Sequence, residues 1–272
     1  LIGYKWLSPL LWKNIQNSMK KGSSLSGGRV QSVVNRLIID REREINKFKP
    51  ETYFKTIGEF KELSMELNHK FKSNLQVESF IESTANAYFV VDSINHKKSQ
   101  RKPSAPFITS TLQQEASNKW RMSPKMTMSY AQKLYENGLI TYMRTDSLTI
   151  STDVLSLIKR KVIADFGETY SKMTQYKNKS GNSQEAHEAI RPSDINLFEI
   201  KEDASLKLCS NCAKLYNLIW RRTIASQMAP AKVDTQTISV ISKDLDTNNT
   251  NDYNFISKSE KIEFDGFLRV YK

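Results

Sequence analysis

The spacing of apolar residues changes along the chain, and this change limits the folds that are available. Residues 29–48 carry apolar side chains every three or four positions, as on one face of a helix. Residues 51–107 instead contain short aromatic and β-branched runs, several of them alternating with polar residues, which predict strands. Helical spacing returns after residue 108, and strand-like runs resume near residue 228. The pattern predicts a multidomain protein with separate α and β parts.

These blocks predict three domains. Residues 1–50 form a helical segment, with Pro9 at the first position of an early helix and Pro50 closing the helix over 29–48. Residues 51–107 and 228–272 together form a β-rich domain. Residues 108–227 form a mainly helical domain inserted into it, in which LITYM (139–143) predicts a short strand between two helices, typical of a winged-helix-like module.

Local signals set the ends of the predicted elements. Thr109 and Ser110 predict a cap for the helix TSTLQQEASNKW, and Ser123 with Pro124 starts the next helix, which Gly138 ends. A further helix runs from the Ser-Thr-Asp at 151–153 to a glycine stop at Gly167. The C-terminal strands include GFLRVY, and the polar stretches 170–184 and 243–252 predict loops.

Composition favours a polyanionic partner. The 272 residues hold 41 Lys and Arg against 29 Asp and Glu, a net charge of +12, and residues 1–50 alone carry 10 basic against 3 acidic residues. No apolar run approaches the ~18 residues that a membrane span requires. We therefore expect a cytoplasmic protein that binds a polyanionic partner.

The two cysteines form one CxxC, Cys209 and Cys212. A zinc site needs two further ligands, and none of the three histidines lies near in sequence. A reduced pair on a helix in a cytosolic protein is the favoured interpretation, with metal or redox use as the alternative.

A first candidate phosphate site is SSLSGGRVQS, residues 23–32. Ser26 and Gly28 precede the helix over 29–48, whose positive end and free N–H groups suit a phosphate, and Arg29 and Gln31 follow in its first turn. Gly28 stands where a nucleotide P-loop needs lysine, so ATP binding is not expected. A flexible helix cap is the alternative.

A candidate nucleophile lies in GLITYMRTDS, residues 138–147. An ordinary phenol, with a pKa of about 10, is ionised to only about one part in a thousand at neutral pH, so Tyr142 would need help. Arg144, two residues on along an extended segment, would point to the same side and stabilise negative charge. The alternative is a tyrosine at the edge of the core.

A third candidate is His187 in AHEAIRPSD, residues 186–194. Its neighbours include Glu188, Arg191 and Asp194, and Pro192 limits the helix on which we expect it to lie. The imidazole can contact a phosphate or support a proton transfer. A solvated surface histidine is the alternative.

Taken together, these segments resemble the type IA DNA topoisomerases, and within them the bacterial topoisomerase I branch. The matching strings occur in family order and cover nearly the whole chain. They are LIGY, SLSGGRVQSVVNRLIIDREREI, PFITSTLQQEASNKW, GLITYMRTDS, QEAHEAIRPSD, LIWRRTIASQMAPAK and FDGFLRV. Met143 favours this branch, because topoisomerase III enzymes resemble TYPRTD at that point.

The resemblance implies a role for each candidate residue. Tyr142 would attack a DNA phosphate, Arg144 would hold that phosphate, Asp146 would help to organise the site, and His187 would contact DNA near the cleaved bond. The positions that would hold the single strand leading into the site are Tyr4, Ser26, Gly28, Arg29 and Gln31.

The implied activity is ATP-independent relaxation of negatively supercoiled DNA by a monomer, through a 5′-phosphotyrosine. The family holds Mg²⁺ in an acidic DxDxE domain that precedes LIGY, and no such cluster is found in this chain; Asp244 and Asp246 are a poor substitute. We therefore expect the 272 residues alone to bind single-stranded DNA but to relax plasmid poorly. The alternatives are a non-catalytic DNA-binding relic of the fold and a topoisomerase III-like decatenase.

Overall fold

The computed structural model describes residues 9–10, 29–177, 187–203, 205–206, 208–245 and 250–272. The chain divides into two compact units, one of residues 1–55 and 70–81 and the other of residues 56–69 and 82–272. The mixed α and β class predicted from the sequence is confirmed. The three domain boundaries predicted above stay a prediction.

The first unit contains helix α1, Arg29–Lys47, which confirms the helix predicted there. Its polar face carries ion pairs one turn apart, such as Arg36 with Asp40 at 2.7 Å. Its apolar side chains are exposed. Of the preceding predicted helix, only Pro9 and Leu10 lie within the described residues, and both are helical.

Helix α2, Asn74–Thr84, lies in a stretch that the sequence predicted as strands and loops. The Ser73 hydroxyl accepts a hydrogen bond from the Gln76 N–H at 3.4 Å, which is the capping signal that the sequence reading overlooked.

Five strands form one sheet in the order β1-β2-β5-β4-β3. The strands are β1 (Phe54–Phe60), β2 (Leu63–Phe71), β3 (Ala87–Arg101), β4 (Ala231–Asp244) and β5 (Thr250–Phe264). The antiparallel β3–β4 ladder runs from Ala87 opposite Asp244 to Arg101 opposite Ala231. Strands from before and after the helical segment therefore belong to the same sheet.

The predicted strand GFLRVY is wrong, because Gly266–Arg269 forms a short 3₁₀ helix. Gly266 has φ of +50°, and a Cβ built on it would lie 2.4 Å from the Ala229 carbonyl oxygen. The backbone turns here at a point where only glycine fits, which ends the strand character of the segment.

Four helices surround the main hydrophobic core of the second unit. They are α3 (Thr109–Trp120), α4 (Pro124–Glu136), α5 (Thr152–Phe166) and α6 (Ser210–Ser226). Helix α6 is buried on most of its circumference, including Leu215, Tyr216 and Ile219. Each of the other three contributes an apolar stripe to the same cluster.

Most of the predicted helix ends are confirmed. The Ser123 hydroxyl caps α4 by accepting from the Met126 N–H at 3.3 Å, and Gly138 and Gly167 follow α4 and α5 with φ of +70° and +95°. The predicted cap of α3 is wrong. The N-cap residue is Ile108, and its N–H donates to the Thr111 hydroxyl at 3.0 Å.

Among the helices in the described part of the chain, none has the length and apolar content that a membrane crossing would require.

Gly266 and Gly138 offer a matched pair of substitutions, because both have positive φ but only Gly266 faces backbone atoms. We expect Gly138→Ala to lower the free energy of unfolding by about 1 kcal/mol through left-handed strain. Gly266→Ala should lower the free energy of unfolding by about 1–3 kcal/mol more than Gly138→Ala does, because the added methyl group would clash with Ala229 and Pro230. Urea unfolding of the two variants measures the difference, and equal losses would contradict the close approach.

Candidate active site

The segment that contains Tyr142 is held on one edge by Thr141. The Thr141 N–H donates to the Arg191 carbonyl at 2.9 Å, and its hydroxyl donates to the Ala189 carbonyl at 2.8 Å. The same hydroxyl accepts from the Arg191 N–H at 3.0 Å. These bonds fix the segment against residues 189–191, although the two are 48 or more positions apart in sequence.

Thr109, the first residue of α3, holds the other edge. Its hydroxyl lies 2.7 Å from the Met143 carbonyl and accepts from the Thr145 N–H at 3.0 Å. Its own N–H donates to the Thr145 carbonyl at 3.0 Å. The residue that the sequence predicted as a helix cap therefore joins the helix to the candidate site.

No regular strand forms at LITYM, so that prediction is wrong. Within residues 139–143 the only ladder contact is an isolated bridge between Ile140 and Pro192. The partners are Thr109 at the start of α3 and the irregular segment 189–193, which do not form a continuous strand edge. The winged-helix-like arrangement stays a prediction.

Exposure nevertheless alternates along residues 142–147. Met143, Thr145 and Ser147 are buried, with Met143 only 1% exposed, and Met143 belongs to the main core. Tyr142, Arg144 and Asp146 are exposed. Burial of every second side chain therefore displays these three polar residues on the surface, as expected for extended backbone.

Tyr142 is 40% exposed, so its phenol is available to a ligand. The Tyr142 ring meets the ring of Tyr135 from α4 edge to face, with the centroids 5.1 Å apart. Such pairs restrain an aromatic side chain while leaving one end in solvent.

Arg144, Asp146 and His187 line one open cleft of about 420 Å³. The first turn of α3 closes its other side, with the lining residues Ile108, Thr109, Ser110 and Gln113. The positive end of a helix and a guanidinium group around one opening favour an anion. Sequence reasoning named Ser110 only as a helix cap and did not name Gln113, because neither carries a signal for DNA binding in TSTLQQEASNKW.

His187 does not lie on a helix, contrary to the prediction. Residues 187–193 are irregular and are fixed by single bonds, including the Ala189 N–H donated to the Thr149 carbonyl at 2.9 Å. The bonds from Thr141 described above occupy the backbone groups that a helix would use internally.

Two predicted neighbours of His187 pair with each other. Arg191 and Glu188 form an ion pair at 2.6 Å, and Glu188 also accepts from the Ser151 N–H at 2.8 Å. Burial alone would raise the pKa of Glu188, but the Ser151 N–H and the Arg191 guanidinium together hold that pKa below its ordinary value. This carboxylate ties the His187 segment to the start of α5.

The residues predicted to bind the incoming strand are only partly described. Tyr4, Ser26 and Gly28 lie outside the described residues. Arg29 begins α1, and Gln31 is an exposed residue of its first turn; both belong to the first compact unit.

No group of three or more His, Cys, Asp or Glu side chains suitable for a metal ion occurs among the residues that the structure describes. Asp244 ends β4, and Asp246 lies outside the described residues. The donors present therefore do not fit the acidic Mg²⁺ cluster that the resemblance implies.

Comparison with known proteins agrees with the sequence motifs. The sequence model of the DNA topoisomerase family matches residues 1–272. A protein of Acanthamoeba polyphaga mimivirus, "DNA topoisomerase 1 type prokaryotic", is 42% identical over 303 residues, which cover 100% of this chain and 34% of that protein. Full-length topoisomerase I from Thermotoga maritima is similar in structure, with a TM-score of 0.78 at 35% identity over 100% of this chain and 43% of that chain.

The chain belongs to the bacterial-type DNA topoisomerase family, the type IA enzymes, as its motifs indicated. It spans about a third of the length of the viral relative and less than half of the Thermotoga chain.

The Thr109 hydroxyl provides a first test of the site's construction. We expect Thr109→Val to lower the free energy of unfolding by about 1–3 kcal/mol, because the Thr145 N–H and the Met143 carbonyl lose their partner. Thr109→Ser keeps the hydroxyl and serves as the control. Urea unfolding compares the two, and a valine variant as stable as the serine variant would contradict this role.

Glu188 gives a pH-dependent test. The pKa of Glu188 is lower in the folded protein than its unfolded value near 4.5. The contribution of this carboxylate to stability is therefore fully present above pH 4.5 and is lost as the pH falls through the folded pKa. Glu188→Gln should therefore cost about 1 kcal/mol at pH 7, a figure reduced for partial solvent screening, and progressively less below pH 4.5.

Urea unfolding across this pH range gives the measurement, with the exposed Glu199→Gln as the control for loss of one charge. If Glu188→Gln lowered the free energy of unfolding as much at low pH as at pH 7, the charged contacts of Glu188 would not be the source of that loss.

Proposed function

We propose that Tyr142 is the nucleophile of a type IA topoisomerase and that this chain supplies the strand-cleaving part of the enzyme. The most direct support is the exposure pattern of residues 142–147. It exposes the phenol, a guanidinium and a carboxylate at alternate positions of the segment that matches the family motif. Under this proposal, residues 108–227 are the tyrosine domain, residues 51–107 with 228–272 the arch, and residues 1–50 part of the strand-binding domain.

The reaction is a transesterification on single-stranded DNA. The Tyr142 oxygen attacks phosphorus, the bond from phosphorus to the 3′ oxygen breaks, and the phenol proton is lost as the 3′ oxygen gains one. The products are a 5′-phosphotyrosine and a free 3′ hydroxyl. Because one phosphoester replaces another of similar energy, the hydroxyl can reverse the step without ATP.

The cleft residues have complementary roles in this proposal. Arg144 neutralises charge on the non-bridging phosphate oxygens, aided by the positive end of α3. His187 donates a hydrogen bond to DNA across the cleft from Ser110 and Gln113, and Asp146 orients the neighbouring donors. Positioning and charge neutralisation then supply most of the rate enhancement.

For the whole protein, we propose relaxation of negatively supercoiled DNA by a cytoplasmic monomer. The strand entering the site would be held by Tyr4, Ser26, Gly28, Arg29 and Gln31. In the family that this chain resembles, Mg²⁺ is bound by a separate acidic domain, and we expect the whole protein to use it there.

Covalent trapping by the full-length parent protein tests this function. Single-stranded DNA labelled at its 3′ end should stay attached to the denatured protein, whereas a label at the 5′ end should be released with the 3′-hydroxyl fragment. Tyr142→Phe should abolish the adduct while changing the dissociation constant for the DNA less than about threefold, because only the hydroxyl is lost.

Tyr88→Phe is the matched control, because Tyr88 is 39% exposed, close to the 40% of Tyr142, but lies on β3 and not in the motif segment. It should leave the adduct unchanged. An adduct that survives Tyr142→Phe and disappears with Tyr135→Phe would assign the reaction to the neighbouring ring. No adduct with intact binding, in the presence of Mg²⁺, would favour the non-catalytic relic. Decatenation faster than relaxation would favour the topoisomerase III-like alternative.

A further inference from the structure

Two thiols meet at the start of α6, on the element that forms the centre of the helical core. Cys209 is the N-cap residue and Cys212 lies in the first turn, with their sulfur atoms 3.2 Å apart. Both cysteines are free. We propose that they form a redox-active dithiol that closes to an intramolecular disulfide and also binds trivalent arsenicals.

The backbone already holds the two residues in position for this closure. Cys209 is extended, with φ of −106° and ψ of 170°, and its carbonyl accepts from the Cys212 N–H at 2.8 Å. A disulfide requires the sulfur atoms to approach to about 2.05 Å, which side-chain rotation can supply. Little chain entropy is lost on closure, because the helical turn has fixed the loop beforehand.

The two thiols differ in solvent exposure, and this difference determines which of them reacts first with the oxidant. Cys212 is 0% exposed, whereas Cys209 is partly exposed at the helix end. Solvent-borne reagents therefore reach Cys209 first. Cys212 lies behind it, placed to attack Cys209 rather than a molecule in solution.

Local charges support the same order. Burial would raise the pKa of the Cys209 thiol, but the Cys212 thiol, the Asn211 and Cys212 N–H groups and the Lys133 ammonium together hold that pKa below its ordinary value. The pKa of Cys212 is raised, chiefly by burial. The more accessible sulfur is thus also the one that ionises more readily, as a reactive cysteine requires.

The chemistry balances with a peroxide as the oxidant. The Cys209 thiolate attacks one oxygen of hydrogen peroxide, and the leaving hydroxide takes up a proton, which gives a sulfenic acid and water. The Cys212 sulfur then attacks the Cys209 sulfur and expels a second water. Two thiols are oxidised and one peroxide is reduced. A dithiol reductant restores the pair by thiol–disulfide exchange and is itself oxidised to a disulfide.

A zinc site is a poorer match for this pair. Zinc needs four ligands, and the described residues contain no group of three or more ligand side chains. A dithiol needs only its own two sulfur atoms to hold trivalent arsenic, so phenylarsine oxide is the appropriate probe. Two S–As bonds form, and the arsenic oxygen leaves as water with the two thiol protons.

Intact-mass spectrometry of the full chain tests the disulfide. After treatment with hydrogen peroxide, the native protein should lose the mass of two hydrogen atoms. The unreduced tryptic peptide of residues 208–214, which contains both cysteines, should be lighter by the same mass. Dithiothreitol should restore the original mass. A protein that keeps both thiols, or that gains oxygen atoms on Cys209 without losing hydrogen, overturns the proposal.

Two single variants test the order of reaction. Cys212→Ala should leave a Cys209 sulfenic acid that dimedone captures, and Cys209→Ala should leave a Cys212 thiol that native-state alkylation reaches roughly tenfold more slowly than Cys209. Wild type should bind one equivalent of phenylarsine oxide, and neither variant should retain it after washing. Equal alkylation rates, or arsenical retention by a single variant, would contradict the paired site. These outcomes do not depend on DNA cleavage by Tyr142.

Discussion

Two threonine hydroxyls determine where the candidate nucleophile lies. Thr109 bonds to the backbone of Met143 and Thr145, and Thr141 bonds to the backbone of Ala189 and Arg191. The segment that contains Tyr142 forms no continuous ladder with its neighbours. These side-chain bonds therefore hold its backbone in place, as strand pairing would in a sheet. They fix an irregular segment in an extended path, and the exposure of Tyr142 depends on that path.

The hydrophobic core also restrains the backbone of the segment that contains Tyr142. Met143 is anchored among the side chains of the helical cluster, so the backbone on either side cannot rotate without exposing it. A rigid support of this kind suits chemistry that depends on placement, since a positioned phenol and guanidinium need little rearrangement when a phosphate arrives. The partly open cleft beside them leaves room for that phosphate.

Sequence reasoning succeeded where structure is decided locally. Ser123 and Gly138 bound α4 because capping and left-handed glycine act within one turn. It failed at LITYM, whose long-range hydrogen-bond partners lie 34 to 54 positions away and are not in strands. Arg144 and His187 were candidates from their position and neighbours in the sequence, whereas Asp146 was found through the family resemblance. Ser110 and Gln113 were recognised as part of the cleft only from the structure, in which they line it together with those three residues.

The most direct measurement is tandem mass spectrometry of the DNA adduct formed by the full-length protein. After nuclease trimming, the residual nucleotide should lie on the peptide that contains residues 138–147, with the added mass on Tyr142. A nucleotide on Tyr135 or on any residue outside that peptide would contradict the account, because it would mean that the segment fixed by Thr109 and Thr141 does not present the reacting phenol.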